Sequence, residues 1–515
     1  MTGAGTTGPV AGSVLSGMVA RVSAGEWGPW SRQVERAGFC WRPVRLRGRA
    51  LAVDTTTGEI AAEYSTGDQP DGSVLVACKD RRAAVCGPCA ETYRRDVWHL
   101  VASGLRGRSV RELRPRARAG AAVEVVPGSV AAHPVVFATF TAPGFGAVHA
   151  ARDGGRGVCR ERRGDVRCRH GLPVGCSHRH AEDDGRVGDP LCWGCYDYDG
   201  HVLWHAAAPA LWARTIIYLY RALARLARLT VRAVRQEVRV SYVKVAEWQR
   251  RAAVHFHAVL RLDGVAAGDP DAVVAPPAWA DAAVLEAAMR DAVGRAQVPL
   301  PAVGGGARAA RWGAQLDVTA VADPMRTAAY VAKYATKTAG DTIAGLPVRA
   351  FGRGEAARVR EQVRSSHVML LVAACLRLSK REDCAGLRLA DNVHALGFGG
   401  HYCTKSRHYS VTLGALRQAR RTWRAEAAGE DGGPVDPWAA ARGQHDSGGV
   451  GAVTLVGDWR YAGSGFTRLG DADLAATLAR DHAAWREHER DRRAEDHAWR
   501  RLIHDNDAIV VGEPL

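Results

Sequence analysis

The residue pattern predicts an α+β fold in which an antiparallel sheet is flanked by helices. Two runs of apolar and β-branched residues, Arg239–Glu247 and Val254–Leu260, lie close enough in the chain to pair as a hairpin. Phe137–Thr141 and Gln315–Thr319 have the composition of two further strands of this sheet, and residues 324–339 follow as a helix. The predicted order of elements is strand, inserted loop-rich module, helix, hairpin, strand and helix. This order is typical of an α+β protein with an antiparallel sheet.

Two histidines occupy one face of the predicted hairpin. Side chains alternate along a strand, so His255 and His257 point to the same side while Val254 and Phe256 point into a core. Two imidazoles and one further ligand can hold a divalent cation, and the hairpin brings Glu247 near them. The alternative interpretation is a polar sheet face without a metal.

The helix after the last predicted strand carries the next chemical signal. Asp323 and Pro324 are a helix-start signal, and Gly340 offers a stop. Residues four apart lie on one helix face. A phenol has an unperturbed pKa of ~10, so it needs nearby cations to become a nucleophile. This spacing joins two tyrosines and two lysines: Tyr330 with Tyr334, and Lys333 with Lys337.

Four cysteines near the N-terminus predict a structural zinc site. Cys86 and Cys89 form a CxxC knuckle, which lets two thiolates hold one tetrahedral zinc. Cys78 and Cys40 complete the set of four ligands, although a long stretch of chain separates Cys40 from the other three. The alternative is a solitary CxxC pair with a redox or purely structural role.

A second cysteine cluster predicts a second zinc site. Its obvious ligands are Cys168, Cys176, Cys192 and Cys195. Such a site holds together a loop-rich insertion, and the arginines around it also allow docking on DNA. Four residues compete for one ligand position, and the sequence does not choose among them: Cys159, His170, His178 and His180.

Basic side chains form two further groups that could contact DNA phosphates. A helix is predicted at about residues 206–232, with Leu219, Leu223 and Leu226 on its buried face. One group of basic residues lies on the other face of this helix. The second group follows a glycine-rich turn after residue 394. The default interpretation is that both groups of basic side chains are simply exposed to solvent. They comprise Arg221, Arg225 and Arg228 on the helix, and Lys405 and Arg407 after the turn.

Composition points to a polyanionic partner. The 515 residues include 70 Lys and Arg against 54 Asp and Glu, which gives a net charge of +16 and a pI of about 9.6. The apolar run Val368–Leu376 is too short to span a bilayer, and Met1–Ala20 lacks a secretion signal. We therefore expect no membrane association and a cytoplasmic protein, whose 12 cysteines are reduced and available to metals.

The domain organisation follows from these segments. A short hairpin is expected around Trp459–Phe466 and a charged helix near residues 471–503, after a linker at 426–450. The predicted order begins with a disordered N-terminus at 1–35, a zinc module at 36–125 and a central domain at 130–345 with a zinc insertion at about 155–205. A DNA-binding or accessory region at 346–425 and a linker with a charged helical tail at 426–515 follow.

Taken together, the motifs resemble those of the HUH endonucleases, the metal-dependent tyrosine nucleases of rolling-circle replication, conjugation and some transposition. The landmarks run in the family's order: Phe137–Pro143, then His255 to His257, then Tyr330 to Lys337. Within that superfamily the chain looks closest to the replication initiators of actinobacterial rolling-circle plasmids and integrative elements. The resemblance covers roughly residues 36–425.

The resemblance implies a site-specific nickase that starts rolling-circle replication. It implies that His255 and His257 bind Mg²⁺ or Mn²⁺ and that Tyr334 attacks the DNA strand to give a covalent 5′-phosphotyrosine. Tyr330 occupies a position where related initiators can carry a glutamate, so the use of one or two tyrosines stays open. Expected partners are double-strand origin DNA, single-stranded DNA, and a host helicase and polymerase. A relaxase or transposase, and a non-catalytic zinc DNA-binding regulator, are the alternatives.

Overall fold

A computed structural model describes residues 11–54, 57–107, 126–303, 306–337, 363, 365–420 and 453–510. The chain forms two compact units. The first comprises Met1–Asp80, Val85–Glu91 and Gly432–Leu515, and the second comprises Arg81–Ala84 and Thr92–Asp431. The predicted linker at 426–450 and the predicted helix stop at Gly340 lie outside the described residues.

The helices are α1 Ala11–Ser23, α2 Trp27–Arg36, α3 Gly87–Arg106, α4 Tyr198–Ala227, α5 Val231–Glu237, α6 Ala282–Arg295, α7 Pro324–Ala335, α8 Ser366–Leu378 and α9 Asp471–Val510. The strands are β1 Val44–Asp54, β2 Ile60–Ser65, β3 Val74–Val76, β4 Val135–Phe140, β5 Val238–Trp248, β6 Val254–Ala266, β7 Asp269–Val274, β8 Val298–Leu300, β9 Arg308–Ala310, β10 Leu316–Ala320, β11 Cys403–Lys405 and β12 Val453–Ser464.

The first unit is built on an antiparallel sheet in the order β12-β1-β2, with β3 also paired to β1. The expected hairpin at Trp459–Phe466 is wrong, because β12 runs as one strand along the whole of β1. Helices α1 and α2 occupy most of the stretch at 1–35 that we expected to be disordered. Arg21 of α1 is fully buried and forms an ion pair with Asp471 at the start of α9, with 2.6 Å between Nη2 and Oδ2.

The second unit contains the predicted antiparallel sheet, in the order β10-β4-β6-β5-β11, with β7 paired to β6. Its four expected strands are all present, and the α+β class is confirmed. On one face, α4 and α6 pack over a core that includes Phe140 and Phe256. On the other, α3 and α7 cover Val243, Val245 and Val259.

The long helix α4 positions that first core. The Asp197 carboxylate accepts a hydrogen bond from the Gly200 amide, at 2.9 Å, and so caps the helix. Leu219 and Leu223 are fully buried, and each such side chain contributes roughly 1.5–3 kcal/mol to stability. Leu226 was predicted on the same buried face, but it is exposed. Leu226 lies in the last turn of the helix, which ends at Ala227.

Candidate active site

The β5–β6 pairing brings the two predicted histidines to the predicted glutamate. Glu247 lies directly opposite His255 in the antiparallel register, so the two side chains share a face. Glu247 Oε2 is 2.9 Å from His255 Nε2 and 2.9 Å from His257 Nε2. The three ligand atoms lie within 4.8 Å of one another, so one cation can contact all of them.

Burial and neighbouring charges change the pKa values of Glu247 and His257. Burial by itself would raise the pKa of Glu247, but the hydrogen bonds and positive charge of His255 and His257 outweigh it and lower the pKa to about 2. Burial lowers the pKa of His257, an effect that Glu247 partly offsets. A carboxylate and a neutral imidazole are the forms that bind metals.

Strand β4 supplies two residues that the sequence argument did not assign to the site. Thr139 pairs with His257 across the sheet, and its Oγ1 is 3.1 Å from His257 Nδ1. When Nε2 binds a cation, Nδ1 carries the proton and donates it to Thr139, which fixes the orientation of the ring. Phe137 stacks on His257, with 5.7 Å between the ring centroids. Period-2 alternation from a known pairing of β4 with β6 would have identified both.

Helix α7 presents both predicted tyrosines to the histidine face. Asp323 caps it by accepting hydrogen bonds from the Met325 and Arg326 amides, as predicted, and it ends at Ala335 rather than at 339. The ring of His257 lies 5.2 Å from that of Tyr330 and 5.2 Å from that of Tyr334, centroid to centroid. The tyrosine rings are 4.8 Å apart.

The two lysines lie beside Tyr334. Lys337 Nζ is 4.7 Å from the centre of the Tyr334 ring, and Lys333 Nζ is 5.7 Å from it. Lys337 Nζ also lies 3.7 Å from Glu247 Oε1. Burial, together with Tyr334 and Glu247, raises the pKa of Tyr330. The positive charge is therefore gathered around Tyr334, and Tyr330 is held in its neutral form.

Arg81 is a further residue that the sequence argument missed. Its guanidinium donates hydrogen bonds to the carbonyl oxygens of Ala335 and Lys337, at 3.1 and 3.3 Å. The Ala335 carbonyl lies at the C-terminal end of α7, where a helix leaves its acceptors unpaired, and Lys337 follows two residues later. Arg81 therefore fixes the segment that carries Lys337, and its local sequence gives no signal of this distant contact.

The N-terminal cysteines form the predicted group. The Sγ atoms of Cys40 and Cys86 are 3.7 Å apart, and those of Cys78 and Cys89 are also 3.7 Å apart. The four ligand atoms all lie within 4.8 Å of one another. Four thiols at this separation can hold one tetrahedral zinc ion.

The second predicted cysteine set is wrong in one member. Cys168, Cys192 and Cys195 are grouped with His170, whose Nδ1 lies 3.4 Å from the Cys192 sulphur and 3.3 Å from the Cys195 sulphur. A backbone hydrogen bond from His170 lowers the pKa of Cys168 to about 6, which favours its thiolate. This group, here called the Cys3His centre, can hold zinc.

Cys176 belongs to a different group. It lies with Cys159, His180 and His149, all with ligand atoms within 4.8 Å of one another. The described residues therefore hold three Cys and Cys/His groups rather than the two we expected. Cys176 was assigned to the other group because the chain interval from Cys168 to Cys176 equals that from Cys78 to Cys86. His149 was not predicted because it belongs to no short cysteine or histidine motif.

Several of the basic residues predicted to contact DNA have protein partners. Arg225 forms an ion pair with Asp291, and Arg407 forms one with Asp271, at 2.6 and 2.9 Å. Arg228 is the left-handed residue that ends α4. The others are placed as follows: the Arg221 guanidinium lies over the Tyr218 ring, and the Lys405 ammonium donates to the Arg407 carbonyl oxygen.

Comparison with known proteins identifies the family. The family model described as "Replication initiator protein, pSAM2" (RepSA) matches residues 26–480. A replication initiator protein of Streptomyces ambofaciens is 39% identical over 484 residues, which cover 91% of this chain and 93% of that protein. No solved structure gives a significant match. Among the described residues, no helix is long and apolar enough to cross a membrane. The chain belongs to the RepSA family of replication initiator proteins.

Proposed function

We propose that this initiator cuts one strand of its origin DNA with Tyr334 and remains joined to the new 5′ end. The observation that carries the proposal is the convergence of two elements. Strands β5 and β6 gather Glu247, His255 and His257, and α7 places Tyr334 against the same histidine ring. A DNA phosphate lying over His257 would meet both a metal centre and a phenol.

The ligand set fits a divalent cation with a preference for oxygen and nitrogen. One carboxylate and two imidazoles leave coordination positions open for phosphate oxygens, as Mg²⁺ or Mn²⁺ requires. Such a cation polarises a phosphoryl oxygen as a Lewis acid. Thr139 keeps the His257 ring in place for this role.

The strand transfer itself uses protein side chains. The Tyr334 oxygen forms a bond to phosphorus while the bond from phosphorus to the 3′ oxygen breaks. The proton of the phenol is released, and the 3′ oxygen gains a proton, so the net change is a transesterification. Lys337 and Lys333 stabilise the phenolate and the added negative charge. One phosphoester replaces another, so rejoining needs no ATP.

The products account for the initiator role. The free 3′ hydroxyl offers a primer end to a host polymerase, and a host helicase separates the strands, since the sequence has no GxxxxGK[ST] loop. Membership of an initiator family favours this role over that of a relaxase or transposase. We retain Arg221, Arg225, Arg228, Lys405 and Arg407 as the proposed phosphate contacts, with Arg225 and Arg407 exchanging their aspartates for DNA.

The experiment uses full-length protein and labelled single-stranded oligonucleotides that tile both strands of the DNA around its own coding sequence. With Mn²⁺, one oligonucleotide should give a protein–DNA adduct that survives denaturation, and chelation should abolish it. A protein that binds these oligonucleotides with Mn²⁺ yet forms no adduct on any of them would contradict the proposal and favour a non-catalytic regulator.

A further inference from the structure

We propose that the segment between β4 and α4 holds two zinc ions in an interleaved arrangement. The first is in the Cys3His centre. The second is in a Cys2His2 centre formed by His149, Cys159, Cys176 and His180. This proposal rests on the ligand geometry of the insertion and is independent of the proposed nicking reaction.

The separations in the Cys2His2 centre are close to the edges of a zinc tetrahedron. His149 Nδ1 lies 3.1 Å from His180 Nε2, and the Cys176 sulphur lies 3.5 Å from the same Nε2. The Cys159 sulphur lies 3.9 Å from His149 Nδ1. Zinc–nitrogen bonds of ~2.0 Å and zinc–sulphur bonds of ~2.3 Å place tetrahedral ligands roughly 3.3–3.8 Å apart. Two thiolates and two imidazoles are a ligand set that selects zinc.

The surroundings orient these ligands. His180 is fully buried, and its Nδ1 donates a hydrogen bond of 2.7 Å to Asp184 Oδ2, which leaves the Nε2 lone pair directed at the centre. The Asp184 carboxylate also accepts from the Arg186 amide at 2.9 Å. The Cys159 sulphur accepts from the Ala150 amide at 3.2 Å, an interaction that stabilises a thiolate. Each is the type of contact that surrounds a bound metal.

The order of the ligands in the chain interlocks the two centres. In chain order the pairs alternate: His149 with Cys159 for the Cys2His2 centre, Cys168 with His170 for the Cys3His centre, then Cys176 with His180, then Cys192 with Cys195. Each centre therefore closes a loop that contains ligands of the other. Residues 144–192 otherwise have only one 3-10 turn, hydrogen-bonded turns, bends and isolated bridges, so metal binding supplies most of their folding energy. Loss of one ion should release both.

The insertion also contacts the turn that connects β5 and β6, the two strands that hold Glu247, His255 and His257. A Cβ on Gly188 would lie 2.4 Å from the Arg250 carbonyl oxygen, so the two backbones are in close contact. The Arg250 guanidinium donates to the Asp184 carbonyl oxygen at 3.4 Å. Arg250 belongs to the turn between Glu247 and His255. The Cys2His2 centre thus stabilises one end of the β5–β6 hairpin.

The first test measures zinc per chain by mass spectrometry of elements after gel filtration of full-length protein. His180→Ala should contain two fewer zinc ions than the parent, because both interleaved centres are lost. Arg179→Ala is the control, since Arg179 is the exposed neighbour of His180 in the same loop and is outside the group, and it should keep the full content. Comparison with the parent cancels any metal held elsewhere. Equal zinc content in His180→Ala and the parent would overturn the proposal, and loss of one ion would contradict the interlocking.

The second test does not depend on removal of a ligand. Asp184→Asn should bind the same number of zinc ions but release two of them to a chelator roughly 10–100 times more readily, since the hydrogen bond to His180 is weakened. Asp183→Asn, at the exposed neighbouring residue, should behave as the parent. Equal zinc release from the two variants would overturn the assignment of Asp184 and His180 to a metal centre.

Discussion

Glu247 and His255 face each other across the β5–β6 pair, with 2.9 Å between Oε2 and Nε2. The register of the hairpin determines this contact, because a slip of one residue would move Glu247 to the opposite face of the sheet. The same carboxylate oxygen reaches His257 at 2.9 Å. One residue on a neighbouring strand therefore completes a three-ligand group that the two histidines cannot form alone.

Glu247→Gln should keep the shape of this group and remove its negative charge. We expect Mn²⁺ affinity to fall and adduct formation to drop by about 100-fold or more, because an acidic ligand provides much of the attraction for a hard cation. Calorimetry with Mn²⁺ and adduct yield would measure the two effects. Glu237→Gln, on α5, serves as the control. Unchanged Mn²⁺ binding in Glu247→Gln would show that the cation is held elsewhere.

Thr139→Val should weaken metal binding without changing a ligand. It removes the hydroxyl that partners His257 Nδ1, and loss of such a contact typically costs 10–100-fold in metal affinity. High Mn²⁺ concentration should restore cleavage in this variant. Thr141→Val, at a buried threonine just after β4, is the control. Failure of added Mn²⁺ to restore cleavage would argue against a role through His257.

Arg81→Ala should slow cleavage while leaving metal affinity intact. Removal of two hydrogen bonds to the end of α7 costs about 1 kcal/mol each, which predicts a loss of roughly 10–30-fold in the rate of adduct formation. Arg81→Lys should recover part of the rate. If Mn²⁺ affinity fell together with the rate, Arg81 would act on the whole unit rather than on the position of Tyr334 and Lys337.

Lys244 should make stability depend on alkaline pH. The side chain is buried over the Phe256 ring, 4.4 Å from Nζ to the ring centre, and burial lowers its pKa from 10.5 to about 8. Below pH 8 the side chain is protonated in both the folded and the unfolded state. The full desolvation cost of the buried charge then lowers the free energy of unfolding. Between pH 8 and 10.5 only the unfolded state keeps the proton, and stability rises.

Lys244→Met should therefore stabilise the protein by up to about 3 kcal/mol at pH 7. The gain should shrink between pH 8 and 10.5, and thermal unfolding at several pH values would show it as a converging pair of Tm curves. Lys380→Met, at an exposed residue, should show no such trend. A constant difference across pH would contradict the assigned pKa.

The parts of the site that follow from local pattern could be predicted from sequence. Alternation fixed the shared face of His255 and His257, and helical spacing fixed that of Tyr330 and Tyr334, because both patterns depend only on backbone geometry. The cap at Asp323 also depends on neighbouring residues alone. The short hairpin turn then made the contact with Glu247 predictable.

Features that depend on distant pairing could not be predicted in this way. Strand β12 pairs with β1, about 400 residues earlier, and nothing in either segment specifies its partner. The group that contains Cys176 and His149 alternates along the chain with the Cys3His group, so spacing alone assigned Cys176 to the wrong group. Arg81 acts on α7 through backbone carbonyls, which carry no residue-type signal.

The most direct measurement is mass-spectrometric mapping of the DNA-linked peptide from an Mn²⁺-dependent adduct. We predict one nucleotide-bearing residue, Tyr334, with no adduct from Tyr334→Phe although that variant still binds the oligonucleotide. Tyr330→Phe, its matched control one helical turn away, should still form the adduct. Attachment at any residue other than Tyr334, or adduct formation by Tyr334→Phe, would contradict this prediction.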